Sequence, residues 1–183
     1  MNIPNFLSLM RIILVPVFVI FIIQERYLSA LLVFTAAGLT DALDGALARI
    51  LKAQTKLGAY LDPIADKLLL VTSFVSLSVF GIIPAWLTVI VISRDMIILL
   101  GLMILTLLAV PYEISPAIVS KLTTVLQVGT IFLVLLYKAM ALKCDETWLL
   151  GFFWATAVFT IVSGLVYIFR GIGFLNRANP QKE

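Results

Sequence analysis

Six stretches of this chain are each apolar over nearly the length an α-helix needs to cross a bilayer, and that property limits the fold more than any other. About 20 residues at 1.5 Å rise cover the hydrocarbon core. The stretches run over residues 6–23, 28–50, 61–80, 84–110, 118–139 and 148–169. The segments between them are short, and no fixed-period repeat divides the chain. The expectation is therefore an all-α fold: one membrane domain over residues 1–183, built as a bundle of six transmembrane helices. Composition agrees, because 62% of the residues are hydrophobic, 13% are charged and the mean hydropathy is +1.15, well outside the range of an ordinary soluble domain.

Orientation follows from where Lys and Arg fall. With the N-terminus inside, Arg11, Arg49, Lys52, Lys56, Lys67, Lys121, Arg170, Arg177 and Lys182 lie at cytoplasmic ends, against Arg26, Lys138 and Lys143 outside. Both termini are expected in the cytoplasm, with Tyr27, Trp86 and Trp148 at the outer interface. Met1 to Phe6 carries no basic side chain, so the first apolar run reads as a retained helix, with Asn2 to Asn5 as its interfacial lead-in.

The absence of histidine and the single cysteine, Cys144, exclude an internal disulfide, a His or multi-Cys zinc site and a Ser-His-Asp or Cys-His nucleophile. A net charge of +3 without a basic tract gives nucleic acid nothing to bind. The available chemistry belongs to carboxylates, Lys, Arg and hydroxyls.

The carboxylates fall in a pattern. The second apolar stretch cannot span the core unless its helix continues through Asp41 and Asp44, and at 100° per residue Asp41, Asp44, Gly45 and Ala48 share one stripe. In the third helix Gly58, Asp62 and Asp66 recur every four residues, with Pro63 expected in the first turn. A short basic connection makes the two helices antiparallel neighbours, so four carboxylates converge at one depth. Singly, each aspartate could cap a helix, as Asp62 before Pro63, or pair with a neighbour, as Asp66 with Lys67. Together they carry like charge at membrane depth, where one Asp costs about 2.5 to 3.5 kcal/mol. Two divalent cations would cancel that charge, and all-oxygen ligation selects hard ions, Mg²⁺ or Mn²⁺. Such a pair serves phosphoryl or prenyl transfer; a divalent-cation transporter is the alternative outside enzymes.

The fourth stretch holds Ser93, Arg94 and Asp95. Adjacent helical residues point about 100° apart and pair poorly, so Arg94 is expected to reach into a polar cavity rather than satisfy itself on Asp95.

The run Asp41-xx-Asp44-Gly45-xx-Ala48-Arg49, eight residues, then Gly58-xxx-Asp62-xxx-Asp66 resembles the signature of the CDP-alcohol phosphatidyltransferase family at all its defined positions. The resemblance implies attack of an acceptor hydroxyl on the phosphatidyl phosphorus of CDP-diacylglycerol, with CMP leaving. It assigns Asp41, Asp44 and Asp62 to the metals, Asp66 to the metal site and to general-base work, Gly45, Ala48 and Gly58 to admitting the cytidine nucleotide, and Arg49 to its diphosphate. Family members are commonly homodimers, on which the residues themselves are silent. The start, Asn2 to Arg11 with Pro16, is similar to both the phosphatidylglycerophosphate synthases and the cardiolipin synthases of that family. Members using glycerol 3-phosphate typically carry a second arginine and a second lysine where this chain has Leu102 and Thr123. The resemblance therefore leans to phosphatidylglycerol as the glycerol-containing acceptor, with glycerol 3-phosphate as the alternative, and to Arg94 and Lys121 as acceptor contacts.

Overall fold

Two of the bends between helices are closed by the same backbone device. After the first helix Glu25 takes a left-handed conformation (φ 56°), and after the third Gly81 does (φ 69°). In each case the next amide turns back to a carbonyl five residues earlier, Arg26 N–H to Phe21 O at 2.9 Å and Ile82 N–H to Leu77 O at 2.8 Å, which terminates the helix in a Schellman motif. Glycine meets no steric cost at that position, whereas Glu25 does.

The structure is a computed structural model that describes the backbone of residues 3–51, 56–108, 118–140 and 147–178, and the side chains of residues 9–41, 64–108, 118–140 and 147–176. Among the described residues it is all-helical: α1 (Ile3–Ile23), α2 (Tyr27–Leu51), α3 (Lys56–Val79), α4 (Ala85–Leu107), α5 (Ile118–Ala139) and α6 (Thr147–Ala178). Three of these, α4, α5 and α6, are long and apolar enough to cross a membrane, and Leu9–Ile23 and Tyr27–Asp41 add shorter apolar helical stretches. Large apolar side chains such as Val79, Leu107, Trp154 and Phe169 stand exposed along them, as expected where lipid rather than water is the solvent.

Boundaries differ from the sequence expectation in four places. α1 begins at Ile3, so Pro4 lies in the first helical turn and residues 3–5 of the expected lead-in already belong to the helix. α3 begins at Lys56, which makes Pro63 its eighth residue rather than a first-turn residue. α4 spans 23 residues, about 35 Å, not the 27 of the apolar run, with Pro84 as its N-cap. α6 continues to Ala178, well past the last residue of its apolar stretch.

The chain forms two compact units. The first comprises Met1–Ile83 with Ile131–Asp145, and the second Pro84–Thr130 with Glu146–Glu183. In the first, α1 packs against both α2 and α3. Arg11, Phe18 and Ile22 make the buried stripe of α1, and Ala30, Phe34 and Ala37 that of α2. These sets follow the i, i+4, i+7 and i+11 spacing of one helical face. Phe18 and Phe34 meet with ring centroids 6.1 Å apart, while the alanines let the two backbones approach.

In the second unit α4 packs against α6, in parallel, since Trp86 stacks near Trp154 at 5.0 Å and Arg94 reaches Ser163. The buried faces of α5 and α6 are polar at helical spacing. Thr130 and Thr156 hydroxyls lie 2.7 Å apart, Gln127 Nε2 donates to Thr160 Oγ1 at 3.3 Å, and Thr123 Oγ1 donates to Phe159 O at 3.0 Å. Hydroxyls and amides hold helices together where both faces would otherwise meet only apolar atoms.

Candidate active site

In the first unit the buried stripes of three helices end in charged side chains. Asp41 lies eleven residues after Ala30 and four after Ala37, on the α2 face turned to α1. Asp66 stands seven residues before buried Ser73 and eleven before buried Leu77 on α3. Between them α1 supplies Arg11. Its Nη1 contacts Asp41 Oδ1 at 3.0 Å and also Asp66 Oδ1.

Two oxygens within hydrogen-bond reach of one nitrogen lie at most about 6 Å apart. Asp41 of α2 and Asp66 of α3 thus come together on one guanidinium of α1. The burial is uneven in a way that bears on function, with the Arg11 side chain at 0% exposure and Asp41 and Asp66 at 45% and 41%. The cation is sealed inside the unit and the anions open outward.

The remaining residues of the signature lie outside the described side chains: Asp44, Gly45, Ala48, Arg49, Gly58 and Asp62. The α2 backbone runs helically through the first four and the α3 backbone through the last two. Among the described residues no group of three or more His, Cys, Asp or Glu side chains gathers. The donors in view, two accessible carboxylates held side by side, are of the type a hard divalent cation takes.

In the second unit Arg94 is buried and surrounded. Nη1 donates to Asp95 Oδ1 at 2.8 Å, Nη2 to Ser120 Oγ at 2.5 Å and to Ser163 Oγ at 2.9 Å, and Nε to Ser163 Oγ at 3.3 Å. The guanidinium lies 5.9 Å from the Tyr167 ring centroid. The pair with Asp95, expected to be poor, forms because the long arginine side chain swings around the helix to its neighbour. The polar surroundings expected of Arg94 exist as two serines and an aspartate packed around it rather than as an open cavity. Lys121, the residue after Ser120, is exposed.

The positions that mark glycerophosphate-using members by their cations are apolar or sealed here. Leu102 lines a groove of about 380 Å³ between α4 and α6, walled mostly by aliphatic side chains such as Ile98, Leu105, Ile168 and Leu175. Thr123 is fully buried and hydrogen-bonded to Val119 O and Phe159 O.

Arg11 is the site residue that sequence reasoning missed, having been counted as a cytoplasmic anchor. Its signal was an arginine seven residues before Phe18 in an otherwise apolar helix, and charge within a membrane segment is seldom idle.

Similarity to known proteins supplies the reaction. The model of the CDP-alcohol phosphatidyltransferase family matches residues 1–164. The chain is 32% identical over 178 residues to the Mycobacterium tuberculosis protein named "Probable phosphatidylglycerophosphate synthase", covering 93% of this chain and 82% of that protein. It is 30% identical over 193 residues to the CDP-diacylglycerol–glycerol-3-phosphate 3-phosphatidyltransferase of Bacillus subtilis, covering 97% and 99%. With the human cardiolipin synthase (CMP-forming) identity rises to 48%, over 99 residues that cover 54% of this chain and 33% of that enzyme. The relatives divide by acceptor and agree on class, which sets aside the prenyltransferase and transporter readings: this chain belongs to the CDP-alcohol phosphatidyltransferase family and is an enzyme of that activity.

Proposed function

We propose that this enzyme transfers a phosphatidyl group from CDP-diacylglycerol to a hydroxyl of phosphatidylglycerol, releasing CMP and forming cardiolipin. The observation that carries the chemistry is the meeting of Asp41 and Asp66 from two different helices on one buried guanidinium. Asp41, Asp44, Asp62 and Asp66 hold two divalent cations, Mg²⁺ or Mn²⁺. Ions held by these carboxylates would supply Lewis-acid polarisation of the donor diphosphate.

The chain's own residues do the rest. Gly45, Ala48 and Gly58 leave room for the nucleotide against the helix backbones, and Arg49 faces its diphosphate. Asp66 accepts the proton of the attacking hydroxyl as the new P–O bond forms, while the bond from phosphorus to the CMP oxygen breaks and the electron pair leaves with CMP. Lys121, exposed at the start of α5, takes the acceptor phosphate, while Arg94, the other expected acceptor contact, is engaged by Asp95, Ser120 and Ser163 and so holds Ser120, next to Lys121 in the chain.

The acceptor reading draws support from Leu102 in an apolar groove and from sealed Thr123. Neither position offers a cation to the free phosphate dianion of glycerol 3-phosphate. That second reading is favoured by the two bacterial relatives matched over 82% and 99% of their length. In the membrane the six helices are read as six spans with both termini and the carboxylates at the cytoplasmic side, and the enzyme as a homodimer.

The test is a product assay on purified enzyme with CDP-diacylglycerol and each acceptor in turn. Cardiolipin from phosphatidylglycerol is expected to exceed phosphatidylglycerophosphate from glycerol 3-phosphate. The reverse ratio overturns the acceptor assignment, and no CMP with either overturns the donor.

A further inference from the structure

We infer that Arg11 is a positioning residue of the reaction: from beneath the site, its guanidinium holds Asp41 and Asp66 side by side, which makes α1 a structural part of the catalytic centre. The inference rests on the reading that these carboxylates do the chemistry, and it assigns a role to a residue outside the aspartate signature.

Three observations carry it. The contacts bridge three helices, since Arg11 on α1 meets Asp41 on α2 and Asp66 on α3. The guanidinium is entirely buried while both carboxylates stay nearly half exposed. An arginine that merely anchored α1 to a polar interface would direct its charge outward along its flexible stem. Arg11 instead lies on the same buried stripe as Phe18 and Ile22, which fixes the stem and aims the planar head at the carboxylates.

The chemistry suits arginine in particular. Its delocalised, weakly hydrated cation tolerates burial and presents several donors in a rigid plane. One such head can set two carboxylates at a fixed separation, and a carboxylate has about four lone-pair directions, so contact with Arg11 is compatible with ligation of a cation. A lysine keeps the charge but presents it as a single flexible point. It would neutralise the pair without fixing the spacing of the two oxygens, and reacting groups displaced by about 1 Å lose on the order of 100-fold in rate.

The decisive variant is Arg11→Lys, which retains the buried charge. Purified in detergent beside wild type and Asp66→Asn, it is assayed for kcat and for KM toward CDP-diacylglycerol, and its thermal midpoint is measured with and without Mn²⁺. We expect Arg11→Lys to lose about tenfold in kcat with less than a threefold change in KM, and its Mn²⁺-induced rise in midpoint to shrink to less than half of the wild-type rise. A kcat within twofold of wild type together with an unchanged Mn²⁺ shift overturns the inference. Should Asp66→Asn itself keep wild-type turnover, the reading of the carboxylates fails first, which separates the two claims. Arg11→Met, without the charge, should lower the midpoint in the absence of Mn²⁺ more than Arg11→Lys does. Equal midpoints for the two would show that the guanidinium's charge holds nothing in place, and would also overturn the inference.

Discussion

Among the described residues two arginines lie on buried helix faces, one in each unit, and they are satisfied in opposite ways. Arg11 takes its partners from two other helices, and those partners are open to solvent or ligand. Arg94 takes a carboxylate from the adjacent residue, with side-chain exposures of 6% and 11%, and completes its shell with the hydroxyls of Ser120 and Ser163. A buried cation whose anions remain accessible is arranged to present those anions. A buried cation enclosed with its own anion and hydroxyls is arranged to fasten helices. Burial of an arginine in an apolar helix does not separate the two uses; the exposure of its partners does.

The largest effect should come from the accessible anions. Asp66→Asn removes the proposed proton acceptor while Arg11 keeps Asp41 at 3.0 Å, so turnover should fall by about 100-fold or more, the usual contribution of a general base. The protein should still elute from a sizing column in detergent as wild type does. A folded variant with near-normal CMP release would break the comparison at its catalytic end.

Arg94→Met is expected to act on the fold instead. It removes the cation that Asp95, Ser120 and Ser163 share, and breaking one side of a largely buried pair costs up to about 3 kcal/mol. Unfolding in mixed SDS micelles reads that loss. What sharpens the comparison is the activity of the molecules that remain folded. If their kcat is preserved, Arg94 is a fastener; if stability is unchanged and only the KM for the acceptor rises, Arg94 presents itself to substrate and the contrast with Arg11 collapses.

These contrasts were unevenly legible in the sequence. The 100° rule puts regularly spaced residues on one face, so Asp41 and Asp66 could each be assigned to a helix face; the sequence expected α2 and α3 to pair directly, whereas among the described residues the two aspartates meet through α1, which packs against both helices. The end of α3 at Gly81 and the start of α4 after Pro84 carry the residues whose backbone preferences set such boundaries. The left-handed turn at Glu25 carries no such mark, because a non-glycine residue takes that conformation only when the surrounding chain imposes it. Arg11 carried a signal, but its inward direction did not show, for a related reason. In a helix apolar on every side, composition does not say which face is inside, so Arg11 reads as a cytoplasmic-end charge until packing shows it on the stripe of Phe18 and Ile22. Arg94 and Asp95 were misjudged from direction alone, because the rule for neighbouring side chains describes where Cβ atoms point, not how far an arginine can bend.

The smallest expected effect tests how firmly Arg94 is fixed. Gly164 on α6 faces its stem, and a methyl group placed there would meet Arg94 Cγ at 3.6 Å and Cβ at 3.9 Å. Those are ordinary contact distances, so Gly164→Ala fills a gap without displacing the arginine. Alanine in a helix interior is worth up to about 1 kcal/mol over glycine, and the added contact is favourable by a few tenths at about 4 Å. We expect the variant to be as stable as wild type or up to about 1 kcal/mol more so, with unchanged kcat. That outcome requires a stationary Arg94, because a side chain that left its serines to meet substrate would sweep its stem past position 164. A fall in kcat with stability intact would mean that the stem moves during turnover, and would place Arg94 beside Arg11 among the residues on which turnover depends.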